Sequence, residues 1–340
     1  MGIWKSIQDK GERNMILVTG GAGFIGSHLC EALLHKGKDI CVIDNFNNYY
    51  SPEYKHENIR KIQKVADEAG RLLSVIKADI RHSETLDSCF KTHDFDAVIH
   101  LAACAGVRPS IENAPLYMDV NINGTINILE CMKRHNINNL LFASSSSVYG
   151  NNKKVPFSES DMVDHPISPY AATKKAGELI CHTYHHLHDI NIACLRFFTV
   201  YGPRQRPDLA IYKFTNLLNC GKPLPFHGDG SLSRDYTYVD DTVSGVLGAL
   251  EWVCSDGKRF DVFNLGESFT VSLSDMVKAI EVVSGKKATI NYLPVPPGDV
   301  NITWADICKA KSAFNYNPTT SFTNGLTKFV EWFQTDRVNC

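Results

Sequence analysis

A short apolar run, Ile16-Leu17-Val18-Thr19, leads without a spacer into Gly20-Gly21-Ala22-Gly23-Phe24-Ile25-Gly26, and residues Phe24 to His35 continue with helical periodicity. The glycines therefore stand at a strand-to-helix turn. Such a turn needs dihedrals that side chains resist, close approach of the backbone to a ligand, and tight packing of helix on strand. A helix beginning there points its N–H groups and the positive end of its dipole at a bound phosphate. The spacing satisfies both GxGxxG (Gly21, Gly23, Gly26) and GxxGxxG (Gly20, Gly23, Gly26), so the motif alone leaves the subfamily open. Roughly 20 residues on, where a dinucleotide fold places its ribose-binding acid, Asp44 ends the apolar run Ile40-Cys41-Val42-Ile43. A carboxylate at that point accepts hydrogen bonds from a ribose 2′-hydroxyl and repels a 2′-phosphate. The two features together predict a site for NAD rather than NADP; a glycine turn without a ligand would not call for the acid.

Apolar, β-branched runs at 15 to 19, 39 to 43, 72 to 78, 96 to 101, 137 to 144 and 191 to 198 alternate with segments of helical period, the pattern of successive βαβ units. The predicted fold is α/β, with a doubly wound parallel Rossmann sheet over residues 15 to 200. Beyond residue 200, Tyr201-Gly202-Pro203, Gly221-Lys222-Pro223 and Pro294 to Gly298 punctuate shorter helices. Residues 201 to 340 therefore read as a smaller C-terminal α/β lobe that binds substrate. Val262-Phe263-Asn264-Leu265 reads as a strand, and residues around 260 to 266 are expected to return to the Rossmann sheet. With no Pro/Ser-rich linker, the lobes are expected to share an interface and a cleft. Residues 1 to 14 are expected to form a loose extension; Met1 to Ser6 fits a myristoylation pattern short enough to be matched by chance.

Composition narrows the function classes. With 44% hydrophobic and 21% charged residues the chain is an ordinary globular protein, and a net charge of −2 supplies no broad basic field, so nucleic acid is not an expected partner. No run of 18 apolar residues and no apolar signal-peptide core occurs, so neither a membrane span nor export is expected. The 11 cysteines form no CxxC pair and no short-spaced Cys/His quartet, which fits a reducing cytoplasmic setting and argues against zinc or a disulfide framework. His182, His185, His186 and His188 lack a carboxylate or thiolate companion and read as the solvated end of an amphipathic helix, so no metal is expected.

A second signal is Tyr170-Ala171-Ala172-Thr173-Lys174, which puts a phenol and an ammonium one helical turn apart on one face. A free tyrosine is a poor base at neutral pH; a neighbouring ammonium and a positive nicotinamide would favour its phenolate and let Tyr170 act as general base. Upstream, Leu140-Leu141-Phe142-Ala143 delivers Ser144 to Ser147 to the C-terminal edge of a strand, where open α/β sheets bind ligands.

At these residues the chain resembles the extended short-chain dehydrogenase/reductase family, and within it the nucleotide-sugar 4-epimerases, from Met15 to Phe333. The stretches TGGAGFIGSHL, IDNFNNYY, HLAACAGVRPSIENAPLYMDVNINGT, SSSSVYG, SPYAATKKAGE, RFFTVYGPRQRP and GDGSLSRDYTYVDD carry the resemblance. It implies that Ser145 is the hydroxyl partner of Tyr170 and that Lys174 binds the nicotinamide ribose. It also implies cofactor contacts from Gly20, Gly23, Phe24, Ile25, Gly26, Asp44 and Asn45, an adenine-binding pair at Asp79 and Ile80, and a cofactor-lining turn at Leu101, Ala102 and Ala103. Asn121 and Thr125 would lie on a helix bordering the site, with Asn121 near substrate.

Relatives that dehydrate or decarboxylate carry an acid two positions before the tyrosine of the xxYG element, and dehydratases an Asp-Glu pair; this chain has Ser146 and Ser147. Without a carboxyl group to move a second proton, simple epimerisation is expected. The segment from Arg196 to Pro207 resembles UDP-glucuronate 4-epimerases more than the UDP-galactose enzymes, which assigns Thr199 and Arg206, with Arg108 as a further candidate, to the substrate carboxylate. Ion pairs or diphosphate contacts are the alternative for these arginines. Phe226 and the Gly228-Asp229-Gly230 turn resemble a nucleotide-base pocket, with core packing the alternative for Phe226. Arg234 resembles a diphosphate clamp and Asp299 a residue closing over the nucleotide. Rival activities are 4-epimerisation of UDP-glucose or UDP-N-acetylglucosamine, decarboxylation of UDP-glucuronate, and cofactor binding without catalysis. Helices over roughly 115 to 135 and 168 to 186 resemble those through which relatives pair as four-helix-bundle homodimers.

Overall fold

The computed structural model describes residues 15–294 and 300–337. The expected extension at 1 to 14 and the candidate Asp299 lie outside the described residues. The first half alternates strand and helix: β1 Met15–Thr19, α1 Phe24–His35, β2 Asp39–Asp44, α2 Pro52–Ala69, β3 Leu73–Lys77, α3 Ser83–Thr92, β4 Phe95–His100, then α4 Val107–Glu112, α5 Ala114–Met118 and α6 Gly124–His135. There follow β5 Asn139–Ser145, α7 Pro169–His188, β6 Asn191–Phe197, β7 Thr199–Tyr201, α8 Ala210–Asn219, β8 Leu224–His227, β9 Ser233–Tyr238 and α9 Val239–Cys254. The chain ends with β10 Phe260–Leu265, β11 Thr270–Ser272, α10 Leu273–Ser284, β12 Ile290–Leu293, α11 Cys308–Phe314 and α12 Phe322–Asp336.

Seven strands form one sheet in the order β10-β6-β5-β4-β1-β2-β3, and every neighbouring pair is parallel. Strand order reverses between β1 and β4, so the loops after these two strands diverge and leave a crevice at their C-terminal ends. Period-two alternation serves two cores. Ile16 and Val18 pack with Leu29 and Leu33 of α1 and with Val246 of α9, while Leu17 on the opposite face packs with Leu86, Phe90 and Ile128. Each such side chain contributes about 1.5–3 kcal/mol of burial free energy, which fixes the register that points the strand ends at the crevice.

The chain returns to this sheet with more than a strand. β10 pairs in register with β6, from Phe260 opposite Ile192 to Leu265 opposite Phe197, and α9 before it packs on α1, β5 and β6. The remainder of the C-terminal half builds a three-stranded sheet, β11-β9-β7, and a two-stranded pair, β12-β8. Asp235 on β9 holds this lobe together: its buried carboxylate accepts from the backbone N–H groups of Glu267 (2.7 Å), Ser268 (3.0 Å) and Ala305 (3.0 Å) and from the Thr237 hydroxyl (3.2 Å). Burial still outweighs these donors and pushes its carboxyl up to about 6.

Among the described residues no helix is long and apolar enough to cross a membrane. The histidines at the end of α7 divide between solvent and packing: His182 meets the Phe260 ring edge-on at 4.9 Å, and His185 Nδ1 lies 2.9 Å from the Ile190 carbonyl. Sequence spacing hid one grouping of soft donors, since Cys41 Sγ and Cys89 Sγ lie 3.9 Å apart with His93 beside them. Both thiols sit in the core between the sheet and α3, where cysteine behaves as a small hydrophobe.

Candidate active site

The glycine turn forms a cradle that side chains would fill. Gly20 has φ +73°, and a Cβ on it would stand 2.9 Å from the Ala102 nitrogen; a Cβ on Gly26 would stand 2.3 Å from the Gly20 carbonyl oxygen. Gly23 begins α1 and the helix carries no side-chain cap, so its first N–H groups and positive dipole end face the crevice. Asp44 is buried at the end of β2, where one oxygen accepts from Phe46 N at 2.9 Å and Lys55 Nζ lies 3.8 Å away. These features fit NAD: a cradle for a pyrophosphate and a partly committed carboxylate for a ribose.

The adjoining loops are braced by polar side chains. Asn45 Nδ2 donates to Asp79 at 3.0 Å, and Asp79 also grips Arg81 through Nε (2.9 Å) and Nη2 (3.0 Å), which holds its carboxyl well below the usual range. Ile80 is buried against Gly124, whose missing side chain leaves room for it. Leu101 N donates to the Thr19 carbonyl at 3.1 Å and Ala102 N to the Thr19 hydroxyl at 3.2 Å, so the Leu101-Ala102-Ala103 turn hangs on the end of β1. Thr19 Oγ1 lies 2.7 Å from His100 Nδ1, and His100 Nε2 lies 3.1 Å from Thr125 Oγ1. Burial lowers the His100 pKa to about 3 and keeps the ring neutral. Asn121 grips Cys104 through N (2.8 Å) and O (3.0 Å) and donates to Thr173 Oγ1 at 2.9 Å. Its amide therefore ties the loop after β4 to α7, a bracing task that its sequence position did not disclose.

Ser145, Tyr170 and Lys174 converge at the C-terminal edge of β5. Ser168 caps α7 by accepting from Ala171 N at 3.2 Å, which starts the helix so that Tyr170 and Lys174 share one face. Ser145 ends β5, accepts from Ser147 N at 3.1 Å and donates to Ser147 Oγ at 3.1 Å, and stands close enough to the Tyr170 phenol to lower its pKa. Burial raises the Tyr170 pKa, while the Ser145 hydrogen bond and the charge of Arg206 pull it down. Lys174 Nζ lies 6.0 Å from the Tyr170 ring centroid and donates to the Ala143 carbonyl at 2.7 Å; burial lowers its pKa to about 8. From sequence, the ammonium and a positive nicotinamide together are expected to favour the phenolate. In the polypeptide itself desolvation is the larger effect on the phenol, and Ser145 and Arg206 are what oppose it.

A buried network that no motif announced locks this arrangement. Glu178, one turn beyond Lys174, accepts from Ser144 Oγ at 2.6 Å and from Arg196 through Nε and Nη2, both at 2.8 Å. Arg196 Nη1 donates to the Tyr149 hydroxyl at 2.9 Å, which donates to Asn264 Oδ1 at 2.7 Å. The strand-end serines, α7 and two further strands are thereby fixed together.

The substrate candidates are distributed around this centre. Ser146 and Ser147 follow Ser145 in a short 3-10 turn, Ser146–Tyr149, and Thr199 opens β7 opposite Tyr236. Arg206 is gripped by Asp208, through Nε to Oδ1 (2.9 Å) and Nη2 to Oδ2 (2.7 Å), yet it lies close enough to Tyr170 for its charge to act on the phenol. Arg108 is exposed near the start of α4. Phe226 is a core side chain, 5.5 Å from the Tyr292 ring and closing over Gly230. Asp229 turns inward on Ser231 N at 2.9 Å, and Arg234 Nη1 donates to the Ser233 carbonyl at 2.9 Å.

The chain matches the family model described as GDP-mannose 4,6 dehydratase over residues 17–329. A UDP-glucuronate 4-epimerase of Thermodesulfobacterium geofontis is 41% identical over 317 residues, which cover 93% of this chain and 95% of that protein. The crystal structure of UDP-glucuronic acid 4-epimerase from Bacillus cereus in complex with UDP-glucuronic acid and NAD is similar with a TM-score of 0.86 at 38% identity, covering 94% of this chain and 99% of that one. The UDP-glucose 4-epimerase of Thermotoga maritima, solved with UDP-glucose, gives a TM-score of 0.84 at 32% identity, covering 94% and 98%.

Proposed function

The chain belongs to the GDP-mannose 4,6 dehydratase family of extended short-chain dehydrogenases, and from that premise we propose that it interconverts UDP-glucuronate and UDP-galacturonate by NAD-dependent epimerisation at C4. The observation that carries the reading is the convergence of Tyr170 and Lys174 at the end of β5, with Lys174 Nζ 6.0 Å from the phenol ring centroid, beside a strand-end loop that presents Ser145, Ser146 and Ser147. The family name covers dehydratases, but elimination needs a further acid or base, and no carboxyl group stands at either serine position.

NAD, held by the Gly20 to Gly26 turn and Asp44, supplies a reversible acceptor for the hydride of C4. Tyr170 takes the C4 hydroxyl proton as the hydride leaves that carbon, giving a 4-keto sugar, and Ser145 shares that proton through its hydrogen bond. Lys174, one helical turn from Tyr170, would hold the cofactor ribose. The keto sugar turns in the cleft, receives the hydride on its other face, and recovers its proton from Tyr170. Thr199 and Arg206 hold the C6 carboxylate throughout, because the 4-keto uronate is a β-keto acid that sheds CO₂ when its carboxylate is left free.

The test is incubation of purified protein, without added NAD, with UDP-glucuronate, UDP-glucose and UDP-N-acetylglucosamine, followed by chromatography. UDP-galacturonate is the expected product. Turnover of the neutral sugars alone would transfer the reading to a UDP-hexose 4-epimerase, a UDP-pentose as main product would make the protein a decarboxylase, and no product even after NAD is added would refute 4-epimerisation of these sugars. The same reading includes a homodimer through α5, α6 and α7, supported by the exposed apolar side chains Leu116 and Met118 on α5 and Leu179 on α7. Light scattering should return twice the chain mass of 37.9 kDa; a monomer at micromolar concentration contradicts it.

A further inference from the structure

The geometry points to Asp208 and Tyr49 as the residues that present Arg206 to the substrate carboxylate, so that a loop of the cofactor-binding domain sets the preference for an acidic sugar. This inference rests on the reading of UDP-glucuronate as substrate. Arg206 gives its Nε–Nη2 edge to the Asp208 carboxylate at 2.9 and 2.7 Å, which leaves Nη1 and the second Nη2 hydrogen for another carboxylate. Its guanidinium lies 5.3 Å from the centroid of the Tyr49 ring, and the Tyr49 hydroxyl donates to the second Asp208 oxygen at 3.4 Å. One arginine is thus held on an edge by a carboxylate and on a face by an aromatic ring.

Tyr49 reaches this position because the loop after β2 is built rather than slack. Asp44 accepts from Phe46 N, and Asn47 accepts from Tyr49 N at 3.2 Å. The buried Lys55 reaches back from α2 to the Asn47 carbonyl at 3.2 Å and to its side-chain oxygen at 3.0 Å. The tyrosine hydroxyl lies against Gly106 in the loop after β4, at ordinary contact distance from where a Cβ would stand (3.4 Å). The same short segment begins at Asp44, the carboxylate assigned to the cofactor ribose, and ends on the arginine assigned to the sugar acid.

The Asp208 side chain is 37% exposed, so its ion pair adds little stability to the fold. What it supplies is direction. A free arginine samples many rotamers and must lose that freedom on binding; one already gripped has lost it beforehand. A loosened Arg206 would hold a uronate less tightly and would release the carboxylate of the 4-keto intermediate more often.

Asp208→Asn, Asp208→Glu and Tyr49→Leu test this in the full chain as purified. Calorimetry compares UDP-glucuronate with UDP, and chromatography measures the fraction of turnovers ending in decarboxylated UDP-pentose. Asp208→Asn and Tyr49→Leu, which removes the ring that faces the guanidinium, should weaken UDP-glucuronate by about two- to tenfold, the range expected for losing one preorganised side chain. UDP affinity should stay unchanged and the pentose fraction should rise, with Asp208→Glu recovering part of both. Unchanged or tightened UDP-glucuronate binding relative to UDP in both Asp208→Asn and Tyr49→Leu overturns the clamp. A wild type that binds UDP-glucuronate without producing UDP-galacturonate overturns the functional reading instead, and the affinity ratio then decides the clamp by itself.

Discussion

Tyr170→Phe should lower kcat for the UDP-glucuronate to UDP-galacturonate conversion by about 10²–10⁴-fold, the usual weight of a positioned general base, with KM nearly unchanged. The substitution removes one oxygen and keeps the ring, including its edge contact with Tyr117 at a centroid distance of 6.3 Å, so the fold has no reason to change. The oxygen is the atom the proposed chemistry uses, and the Ser145 hydroxyl and the charge of Arg206 both act on it against the effect of burial. Product chromatography across a substrate series gives kcat and KM, and a variant retaining a tenth or more of wild-type kcat would remove Tyr170 from the role. The pH profile carries the same information. A phenol raised by burial ionises as pH rises, so the rate climbs with pH. Lys174, brought down to about 8 by burial, loses its ammonium form above that pH, and the rate should level or fall beyond it.

The parts of this site that were legible in sequence are those whose geometry is local. The glycine turn can be read because each glycine answers a backbone demand within seven residues. Tyr170 and Lys174 can be read because a helix fixes the spacing of i and i+4 without help from the rest of the chain. Asp44 can be read because it ends a strand at a fixed distance from the turn. The seven-stranded parallel sheet was legible for a related reason, since each strand announces itself as a short apolar run bounded by helical periodicity.

What escaped is non-local. Glu178 meets Arg196 across 18 residues, Arg196 meets Tyr149 across 47, and Tyr149 meets Asn264 across 115. Read singly, each is an ordinary polar residue. Only the fold makes them one buried network. Asn121 was assigned to the border of the site, but the partners that use up its amide, Cys104 and Thr173, come from a loop and a helix that touch only after folding. The packing of α9 on β5 and β6 escaped for a different reason: its amphipathic pattern states that a face is buried and says nothing of which layer buries it. Asp208 lay two residues from a candidate already chosen, and only the bidentate geometry distinguishes it from a loop acid.

Arg206→Ala should raise KM for UDP-glucuronate by about 30- to 10³-fold, the loss expected when one partner of a desolvated charge pair is truncated, and should leave UDP binding unaffected. The direction follows from the chemistry of the bound state. A guanidinium forms charge-assisted hydrogen bonds with a carboxylate in a plane that an ammonium does not reproduce, so Arg206→Lys should recover only part of the loss. The same substitution should alter what leaves the enzyme: the 4-keto uronate, with its carboxylate no longer held, should yield more UDP-pentose and CO₂ per UDP-galacturonate formed. A third consequence separates this role from simple binding. Because the charge of Arg206 lowers the Tyr170 pKa, its removal should move the rising limb of the pH–rate profile to higher pH, whereas loss of an arginine bound only to a distant phosphate would leave that limb in place. Chromatography of UDP-galacturonate and UDP-pentose over a pH series measures all three effects. An unchanged KM together with an unchanged product ratio would show that Arg206 serves only its ion pair with Asp208, and the choice of an acidic sugar would then have to rest on Thr199 or Arg108.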